Sequence, residues 1–481
     1  MKGGIACTII FFATLFSTQG RAIVPGAFEK DSIHIYYIVD SIIVRGNHRV
    51  RRDVIIRESD IQPGNVIRDD DLPERMAGVN HYISNLALFL SVKITDSITS
   101  ANHLYLIISV KERFFIYGGL NLTITDRNFS EWLRHIDLYR VAYGGEVTLY
   151  NFRNQNELLD LAYTTGWRHD YLVRYKNPYL NKSKSLGLYY TAEYQDGHEV
   201  GVITEHDTLN YLKVDQGVIF KKFETSLTLT YRPKIKMSQS LTIDFENYAI
   251  GDTIARYSNP NYLGDGRTSL RTLHLEYNFT YDNRDYFFYP LNGSYLNISV
   301  DKNGLGVIYN EVNITTLLLN FKEYDKLGNN FYYAGGLLLK KSFSPDPLPY
   351  VYTLPIGYRS EVRGYEYYLV NGDAMALFNN EMKWQIFSHS YNLDWVPVGR
   401  KWNIRRFFTT VPITVYFKIY CDEGYVHNYP RDATNSLQNQ LLTGYGAGFD
   451  IITYYDKIMR IEYSFNNLGQ SGLYLSYVVP F

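Results

Sequence analysis

Through most of this chain, polar and apolar residues alternate at every second position, in short segments separated by Gly, Asn, Asp and Pro. In residues 272–282 the odd-numbered positions are Leu, Leu, Tyr, Phe and Tyr, and the even-numbered positions are all polar. Residues 413–422 alternate in the same way, and residues 378–386 do so with Asn380 as the exception. Successive side chains of a strand point to opposite faces of a sheet. The pattern therefore predicts a large sheet of short strands in residues 114–481.

The two faces of this predicted sheet differ in a way that suggests their surroundings. The polar face carries charged residues in mid-strand, as a water-filled lumen permits, and the apolar face is rich in rings, as a membrane-interface girdle requires. Tyr alone contributes 46 of the 481 residues. A soluble sandwich also alternates, so periodicity by itself leaves both folds open. The charges and the rings together favour an all-β transmembrane barrel of about 16 antiparallel strands.

Both ends of the chain fit an exported protein. Lys2 precedes an apolar stretch from Ile5 to Phe16, and small or polar residues follow to Ala22. This pattern predicts a signal peptide over residues 1–22, with a buried first helix as the alternative. At the other end, five alternate residues share one face, and the last of them is an aromatic residue, as in the assembly signal of outer-membrane barrels: Leu473, Leu475, Tyr477, Val479 and Phe481.

Residues 38–113 follow a different pattern, which predicts a small α+β domain. Apolar residues recur there at spacings of three and four between Leu72 and Leu86, as on one face of a helix. Pro63 and Gly64 separate this segment from an earlier helical one. The predicted order is strand, helix, helix, strand and strand, over residues 41–45, 51–59, 70–88, 89–94 and 104–110.

Several local sequences, in order along the chain, resemble motifs of the Omp85 superfamily. They are VDSIIVRGNHRV and LFLSVKIT in the α+β domain, then YKNPYL at 175–180, YDNRDYFFYPLNGSYL at 281–296, EVRGYEYY at 361–368 and YCDEGYV at 420–426. The resemblance covers almost all of the mature chain. It implies a POTRA domain over residues 38–113 and a BamA/TamA-like barrel, of the bacterial surface antigen D15 type, over residues 114–481.

The EVRGYEYY motif supplies the main candidate site. The resemblance implies that Arg363, Gly364 and Tyr365 lie in a loop that folds back into the lumen, where acidic residues of neighbouring strands hold the arginine. Glu381 and Asp422 match those acidic positions, and both fall on the polar face of their predicted strands. A solvated loop charge is the alternative for Arg363. We expect a bidentate clamp between the guanidinium and these carboxylates, which would pin a loop of about thirty residues.

Two further motifs have a structural role in the resemblance. The segment YDNRDYFFYPLNG resembles the family's Asp-x-Arg-Asp…Pro-x-x-Gly turn, in which acidic residues favour a tight polar turn and Pro and Gly shape the return: Asp282, Arg284, Asp285, Pro290 and Gly293. The barrel seam joins the first strand to the last: Gly118, Gly119, Tyr477, Val479, Pro480 and Phe481. Pro480 lacks an N–H and would weaken the seam, or it simply lies in a frayed end.

The sequence contains no catalytic motif, such as Gly-x-Ser-x-Gly or His-Glu-x-x-His, and no Cys/His metal cluster. We therefore expect no enzymatic activity, no cofactor and no metal. The net charge of −1 argues against a nucleic-acid partner. One basic cluster could bind acidic partners, although such clusters more often form a solvated face: Arg45, Arg49, Arg51, Arg52 and Arg57.

Three functions remain open. The resemblance implies an outer-membrane protein assembly and insertion factor, whose periplasmic POTRA domain receives unfolded outer-membrane or secreted clients and whose seam templates their insertion into the lipid bilayer. Periplasmic chaperones or lipoproteins would bind the POTRA domain. The alternatives are a two-partner-type secretion pore, which usually has two POTRA units, and a passive or structural barrel. The single POTRA unit indicates a specialised role in the bacterial outer membrane.

Overall fold

The computed structural model describes residues 34–124, 132, 141–357, 360–392, 410–430, 432–453 and 457–478. A four-stranded sheet with two helices precedes a 16-stranded sheet. The predicted signal peptide and the seam residues Val479, Pro480 and Phe481 lie outside the described residues. Among the residues that are described, no helix is long and apolar enough to cross a membrane.

The N-terminal domain has the predicted order of elements, with one short strand added. Its sheet has the order β2-β1-β4-β3, in which β1 and β4 run parallel and the other neighbours antiparallel. The three-residue β2 was not predicted because a strand of that length shows no alternation. The elements are β1 Tyr36–Arg45, α1 Arg52–Arg57, β2 Val66–Arg68, α2 Leu72–Ser84, β3 Phe89–Ile98 and β4 His103–Glu112.

Apolar packing holds this domain together. Alternate residues of β4 are buried, and Val79 and Ile83 of α2 cover them with Val54 and Ile55 of α1. Each fully buried Val, Leu or Ile contributes about 1.5–3 kcal/mol through removal of apolar surface from water. Helix α2 is shorter than predicted at both ends, because Pro73 occupies its first turn and Ala87 adopts a positive φ.

The 16-stranded sheet is antiparallel throughout and confirms the predicted barrel. A separate hairpin, β10 Glu199–Glu205 and β11 Thr208–Lys213, lies between β9 and β12. The first eight strands of the sheet are β5 Ile116–Ile124, β6 Val141–Phe152, β7 Glu157–Gly166, β8 Arg168–Asn177, β9 Leu186–Gly197, β12 Phe220–Lys234, β13 Met237–Ile250 and β14 Ser269–Asp282. The other eight are β15 Gly293–Asn303, β16 Ile314–Gly328, β17 Phe331–Phe343, β18 Ala374–Asn392, β19 Thr410–His427, β20 Leu441–Thr453, β21 Lys457–Asn466 and β22 Ser471–Val478.

The strands of the barrel bury many charged and polar side chains and expose many apolar ones. In β19, Lys418 is 1% exposed and Asp422 is fully buried, whereas Ile419 between them is 50% exposed. Leu241 and Ile243 of β13 are also exposed. This arrangement is the reverse of a soluble protein, and it places lipid outside and polar groups inside.

Long loops pack together at the end of the barrel opposite the POTRA domain. The β10–β11 hairpin contributes Asp207, whose carboxylate accepts hydrogen bonds from the backbone N–H groups of Ser436 (3.0 Å) and Leu437 (3.1 Å). The backbone N–H of Leu369 donates to the carbonyl oxygen of Asp207 over 2.8 Å. The hairpin, the loop after β19 and the loop before β18 are therefore joined to one another.

Candidate functional site: the lumen loop, the barrel wall and the turn motif

The loop between β17 and β18 returns into the barrel, where apolar contacts hold it. Val362 and Tyr365 are buried, and they belong to one cluster with Leu377, Val426 and Leu442 of the barrel strands. Backbone hydrogen bonds in both directions between Ile356 and Val370, each 3.0 Å, join the two arms of the loop. The loop is thus a packed element of the interior.

Glycines in the wall allow the loop backbone to approach closely. A Cβ atom at Gly444 of β20 would lie 1.7 Å from the carbonyl oxygen of Arg363, and one at Gly424 of β19 would lie 2.4 Å from Cγ2 of Val362. Gly364 has a φ of +95°, a conformation that favours glycine. Any larger residue at Gly444 would displace the backbone that carries Arg363.

The side chain of Arg363 reaches two carboxylates on adjacent strands. Its Nε lies 2.6 Å from Oδ2 of Asp422 and its Nη2 lies 2.7 Å from Oδ1, so the pair is bidentate. Its Nη1 donates to Oε2 of Glu381 over 2.8 Å. The guanidinium also lies over the ring of Tyr420, 3.9 Å from the centroid. The structure therefore brings together the three residues for which we predicted a clamp.

These three residues are part of a larger charge network that we did not predict. Nζ of Lys418 lies 2.8 Å from Asp450 and 2.7 Å from Glu462, and Glu462 lies 3.5 Å from Nη1 of Arg363. Nζ of Lys383 lies 2.9 Å from Glu381. The network holds four basic and four acidic side chains: Arg363, Lys383, Lys418, Arg460, Glu381, Asp422, Asp450 and Glu462. Because the positive and negative charges balance, these ionic groups can be buried together inside the barrel.

The alternation of polar and apolar residues is the sequence signal that could have identified the other residues of the charge network. Lys383 and Lys418 already lay on the predicted polar faces of their strands. Asp450, Arg460 and Glu462 occupy the corresponding face of β20 and β21, where Asp450 and Arg460 are directly paired. Alternation assigns each residue to a face of the sheet, but it does not show which residues of that face are in contact across several strands.

Gly364 and Tyr365 attach the loop to the end of β21 and to the turn that follows it. The amide of Asn466 donates to the carbonyl oxygen of Gly364 over 2.8 Å, and the Tyr365 hydroxyl contacts Asn467. The backbone N–H of Gly364 donates to the carboxylate of Glu366 over 2.8 Å. The predicted Arg-Gly-Tyr segment therefore contacts the wall through each of its three residues.

The turn motif lies between the network and the POTRA domain. Arg284 forms a bidentate pair with Asp282, at 2.9 and 2.6 Å, and the Asp285 carboxylate accepts the backbone N–H of Leu291 over 3.0 Å. Pro290 is buried, and a Cβ atom at Gly293 would lie 2.2 Å from the carbonyl oxygen of Asn283. These contacts fix the conformation of the whole turn.

Two residues connect this turn to its neighbours. The hydroxyl of Tyr289 donates to Asp450 of the charge network over 2.8 Å. The side-chain oxygen of Asn85, just after helix α2, accepts the backbone N–H of Phe287 over 2.9 Å. Neither Tyr289 nor Asn85 was predicted, because their partners are far away in the sequence. A chain of contacts thus runs from the POTRA domain to the lumen loop.

Three of the predicted seam residues lie in the first and last strands of the sheet order: Gly118 and Gly119 in β5, and Tyr477 in β22. Gly118 and Gly119 pair with Val147 and Glu146 of β6, and Tyr477 pairs with Met459 of β21. Tyr477 is exposed on the outer face. The predicted weakening by Pro480 stays a prediction, since Pro480 lies outside the described residues.

One group of metal-ligand side chains lies at the surface of the POTRA domain, although we predicted no metal. Nδ1 of His34 is 3.8 Å from a carboxylate oxygen of Asp69 and 3.8 Å from one of Asp70. All three side chains are at least one-third exposed, and Asp70 also pairs with Arg68. Exposed carboxylates of this kind commonly remain solvated, so we assign no function to them.

Comparisons with known proteins agree with this architecture. The family model described as the Omp85 superfamily domain matches residues 151–454, and a POTRA model described as a surface antigen variable number repeat matches residues 37–113. A search of curated protein sequences gave no significant match.

Two solved structures have a similar fold. BamA from Haemophilus ducreyi lacking POTRA domains 1–3 has a TM-score of 0.51 and 14% identity, over 92% of this chain and 85% of that one. CdiB from Escherichia coli has a TM-score of 0.54 and 13% identity, over 92% of this chain and 75% of that one. The family match covers more than half of the sequence and confirms the resemblance seen in its motifs: the chain belongs to the Omp85 superfamily.

Proposed function

We propose that this protein is an assembly factor for outer-membrane proteins. The POTRA domain lies in the periplasm and receives an unfolded client as an added strand, and the seam strands β5 and β22 then template its insertion into the bilayer. No nucleotide or cofactor takes part. The energy comes from the client, which satisfies its backbone hydrogen bonds and buries apolar surface as it enters the membrane.

The observation that carries the proposal is the edge strand β3 of the POTRA domain. Among the described residues, β3 pairs only with β4, although it is ten residues long. Asn80 already donates to the carbonyl oxygen of Val92, but residues 96–98 further along are exposed. A long open edge offers a row of backbone donors and acceptors to another chain.

The charge network supports the same proposal from the barrel side. The buried ion pairs of Arg363 hold the loop against strands β18, β19 and β21. These strands lie near the last strand, β22, in the order of the sheet. A fixed wall of this kind allows the seam strands to move while the rest of the barrel keeps its shape. The packed loop also argues against a wide passive pore.

Site-specific photo-crosslinking tests the edge strand. A photoreactive residue at Ser97, which is exposed on β3, should crosslink to a urea-denatured barrel client added to the reconstituted protein. The same residue at His81, which is exposed on α2, is the matched control and should give at least fivefold less product. Equal crosslinking at both positions would show that β3 has no special role.

Assembly in liposomes tests the barrel. Arg363→Ala and Glu381→Arg should slow the folding of the added client at least tenfold, because either change breaks the clamp. Arg256→Ala removes an exposed loop arginine and serves as the control, with a rate close to that of the wild type. Wild-type rates for both clamp variants would refute a role of the clamp in assembly.

Similarity to CdiB as well as BamA makes a secretion pore for one dedicated client the second candidate. A secretion pore predicts that a denatured barrel client neither crosslinks at Ser97 nor folds faster in liposomes containing the protein. The presence of one POTRA unit in the matched segment counts against it, as the two-partner systems usually carry two.

A further inference from the structure

A large basic pocket lies between the POTRA domain and the short-turn end of the barrel. Its volume is about 880 Å³, and helix α1, the turn between β8 and β9 and the turn between β12 and β13 form its walls. Beside it, the guanidinium of Arg232 forms two hydrogen bonds, of 2.7 and 2.8 Å, to the buried carboxylate of Glu58. This interdomain ion pair fixes the two walls relative to each other.

The lining of the pocket has an excess of positive charge. Asp53 and Asp60 are its two acidic residues. Asp53 pairs with Lys184 over 3.0 Å, and Arg57 donates to the carbonyl oxygens of Lys184 and Arg232. The basic side chains are Arg52, Arg57, Lys182, Lys184, Lys234 and Lys236. Two residues of the basic cluster predicted from the sequence, Arg52 and Arg57, therefore line a cavity.

Three of the lysines remain available to a ligand. Lys182 and Lys234 are exposed and have no acidic partner within the part of the chain that the structure describes. Lys236 likewise has no acidic partner there, and its Nζ lies 5.9 Å from the ring centroid of Tyr82. Three ammonium groups without acidic partners on one pocket would attract an anion.

The remaining wall of the pocket continues into the lipid-facing surface of the barrel. Met237 and Tyr281 line the pocket and are paired across β13 and β14. By alternation, they lie on the same outward row as Leu241 and Tyr277, which are both exposed. The pocket is thus basic between helix α1 and the two barrel turns, and apolar where it meets the membrane surface.

We propose that this pocket binds the headgroup phosphate of an anionic glycerophospholipid from the membrane leaflet next to the POTRA domain. Lys182, Lys234 and Lys236 would contact the headgroup, and the acyl chains would lie along the row of Met237 and Tyr281. Basic pockets at membrane boundaries attract anionic lipids. A free phosphate ion would use the lysines but would gain nothing from the apolar wall. The proposal goes beyond client assembly and does not depend on it.

Calorimetric titration of the full-length protein in an uncharged detergent tests this site. Dihexanoyl-phosphatidylglycerol should bind with saturation at one molecule per chain, and inorganic phosphate and dihexanoyl-phosphatidylcholine should bind at least tenfold more weakly. The triple variant Lys182→Gln/Lys234→Gln/Lys236→Gln should weaken the binding of the anionic lipid at least tenfold. Tyr281→Ser should weaken binding of the lipid and leave that of phosphate unchanged.

The matched control removes the same amount of charge away from the pocket, on the POTRA surface, with Arg45→Gln/Lys93→Gln/Lys111→Gln, and its affinity should stay within twofold of the wild type. An unchanged affinity in the lysine triple variant, an equal loss in the control or equally tight binding of inorganic phosphate would overturn the proposal. Heat-modifiable migration on gels reports barrel folding. If the triple variant fails to fold, Lys234→Gln alone should still weaken the affinity measurably.

Discussion

The POTRA domain has an apolar core, whereas the interior of the barrel also buries a network of charged side chains, although one chain forms both. Val79 and Ile83 are fully buried in the POTRA core, whereas the barrel buries Lys418 and Asp422 and exposes Ile419. Water surrounds the first domain and lipid the second, so apolar residues leave the solvent in one and face it in the other. Whether water or lipid surrounds a domain therefore determines which face of an alternating strand is buried.

The two interiors are also stabilised in different ways. Apolar contacts in the POTRA core are non-directional, and their contribution scales roughly with the apolar area that is buried. The lumen network depends on matched charges, and the loss of one partner leaves another buried without compensation. Substitutions should therefore affect the two regions by different mechanisms.

The largest effect is expected where a charge enters the apolar interior. Ile83→Asp should destabilise the POTRA domain by at least about 5 kcal/mol, because no partner there can compensate a carboxylate. Limited proteolysis should then remove the domain and leave a folded barrel. Ile43→Asp, at an exposed position of β1, should leave the domain resistant.

The next effect is expected where a charge leaves the polar interior. Asp422→Asn should cost about 3–5 kcal/mol, because Arg363 stays buried without its bidentate partner. The loss of stability is measured as a decrease in the temperature at which the barrel loses its heat-modifiable migration on gels. Arg363→Met/Asp422→Leu removes both charges and should recover much of the stability. A double variant as unstable as the single one would contradict the charge-matching argument.

A smaller effect is expected on the lipid-facing surface. Ile243→Lys, in the middle of β13, should cost about 2–4 kcal/mol because the lysine faces hydrocarbon. Ser240→Lys, on the lumen face of the same strand, should cost much less. Urea titration of both variants in liposomes measures the difference, and equal costs would show that the two faces have similar surroundings.

The smallest effect is expected for an ion pair in water. Arg256 and Asp252 pair over 3.3 Å in a loop, and both side chains are about two-thirds exposed. Arg256→Ala should change the stability by less than about 1 kcal/mol. A loss as large as that of Asp422→Asn would show that burial does not determine the strength of these pairs.

Local periodicity predicted the parts of this structure that depend on neighbouring residues. Alternation gave the strand faces, including the polar positions of Glu381 and Asp422, and the spacing of apolar residues gave helix α2. The resemblance to a family supplied Arg363 as their partner. The contacts of Glu462 and Asn466 with the lumen loop were not predicted, because each joins residues about a hundred positions apart.

The contacts between the POTRA domain and the barrel could not be predicted from the sequence for the same reason. Glu58 is buried in the structure, although the sequence around it gives no sign of a partner near the end of β12. Only the packing of the POTRA domain against the barrel brings Arg232 to it. Contacts of this kind depend on the complete fold and cannot be inferred from periodicity.

The most direct test of the proposed function is the outer-membrane proteome of cells depleted of this protein, with an Arg363→Ala strain measured alongside. Assembly by this protein predicts that several barrel proteins fall together and that Arg363→Ala reproduces the loss. Unchanged barrel proteins, or the disappearance of a single secreted protein while the barrels stay constant, would contradict it.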